Sequence, residues 1–377
     1  MASSHTNRAL WLASYDEAPS VKELPIPEAT SGTVVIRVLG TSIPSYTRLL
    51  HEGKIPNLNI SPPYVPNANT IGRVHAVGPD AVYLKVGDLV YGDATVRARD
   101  DPSTMIMAGH IGAPGLEGQK LVREWRDGSL QQFQRLPLEN IYRLDEQSLL
   151  GRLGYTPPML AAIAYYSIAA GALLETAHLT VGETVAIGPS GGAFGGLAVE
   201  MALTIGASVV ALGRNKDKLA AMRQKLNNHP RLASVVMTGD KERDTAEILK
   251  ATPGGKGADV YNDWSPGEVA SPPFLSAAIG AVKMGGRVVL SGGSPGNLVI
   301  PYNTLVLNNI KLMGKWMCSR ETLFKLIKTI EEGQLKIGTD TGSQFDVFSL
   351  DEHEQAVDHA AKNGAWRQYT VVAPNGE

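Results

Sequence analysis

The sequence predicts an α/β protein: a mainly antiparallel β domain over residues 1–157, followed over residues 158–313 by a doubly wound parallel sheet. Three observations predict it. Up to about residue 150 the chain reads as short β-rich runs broken by Gly and Pro. Beyond residue 157 it changes to a regular alternation of apolar strands and helical stretches. Between one such strand and the next helix stands a cluster of glycines, Gly188, Gly191, Gly192, Gly195 and Gly196.

In the first part, residues 33–38 are apolar and β-branched, residues 72–78 alternate, and residues 86–91 are strand-like with a turn in front. A long insertion from about Arg97 to Asp127 carries loop chemistry at Asp100-Asp101-Pro102 and Gly112-Ala113-Pro114-Gly115. Strand character returns at 128–133 and 140–144. In the second part, strands are expected at 184–187, 207–212, 233–237, 259–262 and 286–290. Helices fall between them at 195–205, 216–226 and around 245–249. Repeated strand–helix units of this kind build a parallel sheet covered on both faces. An amphipathic helix at 321–332 and a strand at 368–372 follow. The uncharged stretch Pro158 to Leu174 approaches the length of a membrane span, but it is rich in Ala, Gly and Ser, holds two tyrosines and has no basic flank. It is expected to be a helix buried between the two domains rather than a span.

Composition narrows the partners. With 35 Lys and Arg against 37 Asp and Glu, the formal net charge is −2, so neither nucleic acid nor an anionic membrane surface is an expected partner. Cys318 is the one cysteine, which excludes an intramolecular disulfide and fits a reducing, cytoplasmic setting. Residues 1–8 lack the apolar core of a secretory signal.

The glycine cluster, Gly188-Pro189-Ser190-Gly191-Gly192-Ala193-Phe194-Gly195, lies where a strand turns into a helix. Such a loop turns tightly, lets its backbone approach a pyrophosphate and offers it unpaired N–H groups at the helix N-terminus. Three residues separate Gly191 from Gly195, one more than the strict fingerprint, and a tight turn without ligand is the plainer alternative. The next strand ends in Gly213-Arg214-Asn215, with Lys218 one turn on and no acid before Asp217. An acid there would serve the ribose hydroxyls of NAD; cations suit the 2′-phosphate of NADPH. The expected cofactor is therefore NADPH, unless Arg214 and Lys218 are only a solvated helix start.

Residues 35–38 leading into Ser42-Ile43-Pro44-Ser45-Tyr46, then Pro66-Asn67-Ala68-Asn69-Thr70-Ile71-Gly72, then the glycine loop, together resemble the medium-chain dehydrogenase/reductase superfamily over nearly the whole chain. The resemblance implies a GroES-like catalytic domain, a Rossmann domain, a return segment (314–377) packing on the catalytic domain, and a homodimer. It also implies that Ser265, Gly292, Gly293 and Lys315, within Gly314-Lys315-Trp316-Met317, line the cofactor. In the metal-dependent members Pro44 would be a cysteine and Ala68 a histidine, both zinc ligands. The third ligand would fall near residues 163–171, which contain no Cys, His or acid, and the 97–127 insertion replaces a four-cysteine zinc lobe. No metal is expected; the zinc-free branch that the chain resembles includes quinone oxidoreductases and enoyl reductases, and Ala98-Arg99-Asp100-Asp101-Pro102, Arg126-Asp127-Gly128-Ser129 and Gly314-Lys315-Trp316-Met317 resemble most a group of alcohol-dehydrogenase-like proteins.

Without a Lewis acid, hydride transfer to an already electrophilic carbon is the accessible chemistry. Tyr46 stands where the metal-dependent relatives carry a Ser or Thr proton relay. As a phenol it can donate to a developing oxyanion, or it can simply fill the volume the metal vacates. Ser45 adjoins it, Arg48 could orient an anion, and His51 could titrate, although both types are commonly surface groups. Asn69, like Asn67, could bond a substrate oxygen or stabilise its turn. The expected function is a zinc-independent, NADPH-dependent oxidoreductase that passes hydride to an activated C=C (enone, enoyl or quinone) of a small molecule. The alternatives are a carbonyl or imine reductase with Tyr46 as proton donor, and a non-catalytic NADPH-binding protein of structural or regulatory duty.

Overall fold

The computed structural model describes residues 6–266, 274–293 and 297–376 of the 377-residue chain. The chain divides into two compact units. The first comprises residues 1–164, 337–364 and 368–377; the second comprises 165–336 and the three residues 365–367.

The first unit is built on a seven-stranded sheet. Its central strand, Thr33–Ser42, pairs antiparallel with Thr70–Val77, with Phe133–Pro137 and with Gln368–Val372. Leu89–Gly92 and Ile141–Arg143 extend the sheet on one side, and Gln344–Phe348 lies parallel to Gln368–Val372 on the other. Because the central strand is covered on both faces, nearly every residue of it is buried and it reads as a continuous apolar run. Val34 and Ile36 pack with Val74, Val90, Leu136 and Ile141. Glycine is required at Gly72, where a Cβ would stand 2.3 Å from the Arg37 carbonyl oxygen.

Two expectations for this unit are corrected. Residues 128–132 are not a strand; Gln131 Nε2 donates to the Gly128 carbonyl at 2.5 Å, and the strand begins at Phe133. The 97–127 insertion is not all loop: a hairpin of Thr95–Arg97 and Met105–Met107 precedes a helix, Gly115–Trp125. Two glycines depress the intrinsic helix preference of that segment, and burial of Val122 and Gly118 against the unit overrides it.

The second unit is a six-stranded, wholly parallel sheet. The strands run Leu232–Val236, Ser208–Gly213, Thr184–Gly188, Ala258–Asp263, Val282–Leu290 and Lys311–Gly314. Numbered along the chain, that is the order 3-2-1-4-5-6 of a doubly wound dinucleotide fold. The order reverses between Thr184–Gly188 and Ala258–Asp263, and in such sheets ligands bind outside the carboxyl ends of the strands at this point. Ala186, Val210, Leu212, Val235, Ile248, Tyr261, Ile279 and Val288 form its apolar core. The last strand, ending at Gly314, was not anticipated in the sequence.

The expected boundary after residue 313 is also corrected. Residues 314–336, including the helix Arg320–Glu331, cluster with the second unit. Lys315 Nζ meets Glu175 Oε1 at 2.5 Å and the Ser319 N–H donates to Glu175 Oε2 at 2.7 Å, while Leu323, Leu326, Ile327 and Ile330 are buried. The helical run Pro157–Thr176 is long and apolar enough to cross a membrane by length and composition, but about two thirds of it is buried inside the protein.

Candidate functional site: a glycine turn and a tyrosine–histidine pair

In the second unit the first strand ends at Gly188 and the chain turns through Pro189 to Gly192 into the helix Ala193–Ile205. Gly192 caps this helix in extended conformation with no side chain accepting from its first turn, so the N-terminal N–H groups carry the positive end of the helix dipole. The glycines differ in what demands them. A Cβ at Gly195 would stand 2.1 Å from the Pro189 carbonyl oxygen, so close packing excludes a side chain. At Gly191 the nearest atom would be Lys218 Cδ at 3.9 Å, and at Gly192 nothing lies within 4 Å. Among the described residues the outer surface of the loop is thus clear, as a pyrophosphate would require.

The side chains that were expected to bind cofactor divide. Arg214 and Lys218 are exposed beyond the second strand, as a phosphate site needs. Asn215 instead caps the helix Lys216–Lys225, its Oδ1 accepting from the Lys218 N–H at 2.9 Å. Ser190 is fully buried and its hydroxyl donates to the Leu212 carbonyl at 3.0 Å, so only its backbone faces the loop. Ser265, Gly292 and Gly293 form one knot: Ser265 Oγ donates to Asp263 Oδ1 at 2.7 Å, the Gly293 N–H donates to the Ser265 carbonyl at 2.9 Å, and a Cβ at Gly292 would strike Ser265. Lys315 is committed to Glu175. Phe194, in the first turn of the loop helix, lies between Tyr165 (centroids 5.4 Å) and Trp264 (5.9 Å, stacked). The Trp264 backbone N–H donates to the Gly188 carbonyl at 2.8 Å and its indole N–H to Asn262 Oδ1 at 2.7 Å, which places this aromatic row beside the glycine turn.

In the first unit Tyr46 opens the short helix Thr47–His51, its carbonyl accepting from the Leu49 and Leu50 N–H groups. Its ring meets that of His110 edge to face, centroids 5.8 Å apart. Burial pushes the Tyr46 hydroxyl up to about 12, so it is a phenol at any working pH. His110 is 5 % exposed and His51 8 % exposed. Burial lowers both to about 4, reinforced at His110 by His51 and at His51 by His353 and Arg48. Both imidazoles are therefore neutral at pH 7, and His51 Nε2 and His110 Nδ1 are buried without a hydrogen-bond partner among the described residues.

His110 was not singled out in the sequence. It lies in the 97–127 insertion, in a turn held by three backbone bonds: His110 N to Met107 O, Gly109 N to Arg126 O, and Asn67 N to Gly109 O. Its identity as a histidine on that insertion was the available signal; its position beside Tyr46 was not. Arg48 is exposed and paired with Asp358 at 2.6 Å, and Ser45 is exposed. Asn69 (φ 54°) accepts from the Ala94 N–H at 2.9 Å. Asn67 (φ 77°) donates to Thr41 Oγ1 at 2.6 Å and to the Ser42 carbonyl at 3.1 Å. Both asparagines therefore hold the turn around Ala68. The side chains of Pro44 and Ala68 carry no electron pair for a metal, and among the described residues no group of three or more His, Cys, Asp or Glu could hold one.

Residues 30–146 match the alcohol dehydrogenase GroES-like domain family and residues 193–332 match the zinc-binding dehydrogenase family. An alcohol dehydrogenase of Geobacillus stearothermophilus is 26 % identical over 325 residues, 84 % of this chain and 86 % of that protein. The L-threonine 3-dehydrogenase of Pyrococcus horikoshii is 24 % identical over 355 residues, 91 % of this chain and 92 % of that one. Among solved structures, a Sinorhizobium meliloti protein classed with the zinc-binding dehydrogenases and solved bound to NADP superposes with a TM-score of 0.75. The likeness spans 98 % of this chain and 99 % of that one, at 20 % identity. With both domain families matched in chain order, and the glycine turn at the switch point of a 3-2-1-4-5-6 sheet, the chain belongs to the medium-chain dehydrogenase/reductase superfamily of oxidoreductases.

Proposed function

We propose that this protein is an NADPH-dependent reductase that works without zinc and delivers hydride to the β-carbon of an activated C=C in a small enone, enoyl compound or quinone. The observation that carries the reading is Tyr46: a half-buried, protonated phenol beside a neutral histidine, in a unit where Pro44 and Ala68 stand at the positions to which the family resemblance assigns metal ligands. NADPH, when bound, supplies the hydride. The glycine turn and the N-terminus of the helix Ala193–Ile205 would hold the pyrophosphate, and Arg214 and Lys218 would hold the 2′-phosphate.

Tyr46 serves the other end of the reaction. As hydride adds at the β-carbon, the C=C electrons move toward the carbonyl oxygen, which becomes an enolate. The Tyr46 hydroxyl donates a hydrogen bond to that oxygen, and the α-carbon is protonated from solvent. A phenol held near 12 gives up its proton reluctantly, so it stabilises an enolate by hydrogen bonding better than it protonates an alkoxide-forming carbonyl. That difference favours C=C over C=O or C=N reduction.

The test is NADPH oxidation with an α,β-unsaturated carbonyl, followed by product identification and metal analysis of the pure protein. A saturated carbonyl, formed equally well after chelator treatment, is expected. An allylic alcohol would replace this reading with carbonyl reduction, and stoichiometric zinc needed for turnover would overturn the metal-free part. Binding of NADPH without turnover of any electrophile would favour the structural or regulatory alternative. A homodimer and a cytoplasmic setting complete the proposal. The last strand, Lys311–Gly314, is a sheet edge, and Tyr302, Val306 and Leu307 are exposed on the helix just before it. Sedimentation at micromolar concentration checks the dimer.

A further inference from the structure

Three consecutive residues late in the chain, Ala365-Trp366-Arg367, cluster with the second unit although Gly364 and Gln368 belong to the first. Within the second unit they meet one face of the helix that follows the glycine turn. Ala365 pairs with Gly192, the cap of that helix, in an isolated antiparallel bridge. Trp366 lies over Gly196, where a Cβ would stand 2.3 Å from the indole. Arg367 meets Glu200, donating through Nε at 2.9 Å and also through Nη2. Gly192, Gly196 and Glu200 are spaced four apart, so they form a single row on the helix surface, and successive residues of the segment occupy successive positions along it.

Glu200 anchors the arrangement. Besides Arg367, its carboxylate accepts from Trp366 Nε1 at 2.9 Å and Tyr166 Oη at 2.8 Å, and all four side chains are more than nine-tenths buried. Arg367 holds a left-handed backbone (φ 61°), an unfavourable conformation for a residue with a side chain. A buried ion pair contributes little net stability over an apolar substitute, and its documented use is to specify one geometry. Here the geometry specified includes the cap of the helix whose N–H groups would face the pyrophosphate.

Resting on the dinucleotide reading above, we propose that Glu200, Trp366 and Arg367 are positioning residues for cofactor binding: they clamp Ala365 against Gly192 and so hold the anion-binding end of the helix in register. The clamp acts through the pyrophosphate, which NADPH and NADH share, so it governs affinity for both dinucleotides by the same factor and leaves the preference between them unchanged.

The experiment measures NADPH and NADH dissociation constants by fluorescence titration, together with amide hydrogen exchange across residues 191–196 of the cofactor-free protein. Trp366→Phe keeps the ring over Gly196 and removes the N–H bond to Glu200. Glu200→Gln keeps an acceptor and removes the charge, and is the variant to use should Glu200→Ala fail to fold. Ile248→Ala, in the apolar core of the same unit and away from the clamp, controls for general loss of stability. Both clamp variants are expected to exchange faster at 191–196 and to weaken both dinucleotides in parallel, by about threefold to tenfold, the equivalent of one hydrogen bond. Ile248→Ala is expected to lower the unfolding temperature without either effect. Unchanged exchange and affinity in both clamp variants would overturn the proposal, as would equal weakening by Ile248→Ala. Faster exchange at 191–196 in a protein whose wild type binds neither dinucleotide would instead overturn the cofactor reading.

Discussion

The Tyr46 and His110 rings meet edge to face with their planes at 80°, although 64 residues separate them in the chain. One belongs to the turn that follows the central strand Thr33–Ser42, the other to the 97–127 insertion. Neither ring is charged at neutral pH, so the pair offers hydrogen bonding without a fixed ion.

Replacing Tyr46 by Phe keeps the ring contact and removes the hydroxyl. With an enone as substrate, kcat is expected to fall by about 100-fold, the size of effect seen when one oxyanion donor is lost. The NADPH dissociation constant should not move. Because the hydroxyl is held near 12, the wild-type pH–rate profile should show no loss attributable to this group up to about pH 11. A Tyr46→Phe enzyme as fast as wild type would remove Tyr46 from the chemistry.

Stability should fall on acidification. His51 and His110 are held near 4 in the folded protein, below the 6.5 of an ordinary histidine, so between these values the unfolded chain binds more protons than the folded one. The stabilising contribution is complete above about pH 6.5 and is lost as the pH falls toward 4, up to about 3 kcal/mol for either histidine taken alone. The two interact, so their contributions are not additive. Urea unfolding at a series of pH values measures the slope, and His110→Asn should flatten it in this window.

Arg214 and Lys218 should decide between cofactors. Removing both as Arg214→Ala with Lys218→Ala is expected to weaken NADPH by about 10- to 100-fold, the worth of one or two charge-assisted bonds, while NADH binding changes little. Isothermal titration with each dinucleotide reads the ratio. Equal weakening of both would mean that the two cations act on the shared pyrophosphate or on nothing.

Arg48→Ala tests the surface assignment of that residue. Its exposed pair with Asp358 should contribute less than about 1 kcal/mol to stability, and turnover should stay within about twofold of wild type. A large fall in kcat would return Arg48 to the substrate site.

How far the sequence disclosed this protein can be traced through particular residues. Gly188 to Gly195 and the strands around them were legible because their signals are local: apolar run, glycine turn, helix start. The exposed position of Arg214 followed from its place at a strand end. Ser190, Asn215 and Lys315 were expected to face cofactor, but each has a protein partner, in Leu212, Lys218 and Glu175 respectively. The Asn215 cap was within reach of sequence patterns; the other two partners come from folded contacts that no window of sequence contains. The helix Gly115–Trp125 was hidden by its glycines, and His110 by its dependence on that insertion's fold. Glu200 offered no signal at all, since its partners are 34, 166 and 167 residues away.

The Ala365–Arg367 segment also bears on whether the second unit is a portable module. A fragment cut as residues 165–336 would contain all six strands of its sheet, yet Glu200 would lose Arg367 and Trp366, and Gly196 would lose the ring that covers it. Grafting this unit into another protein, or expressing it alone, therefore requires supplying the tripeptide as well, from a part of the gene that no linear cut of the unit would include.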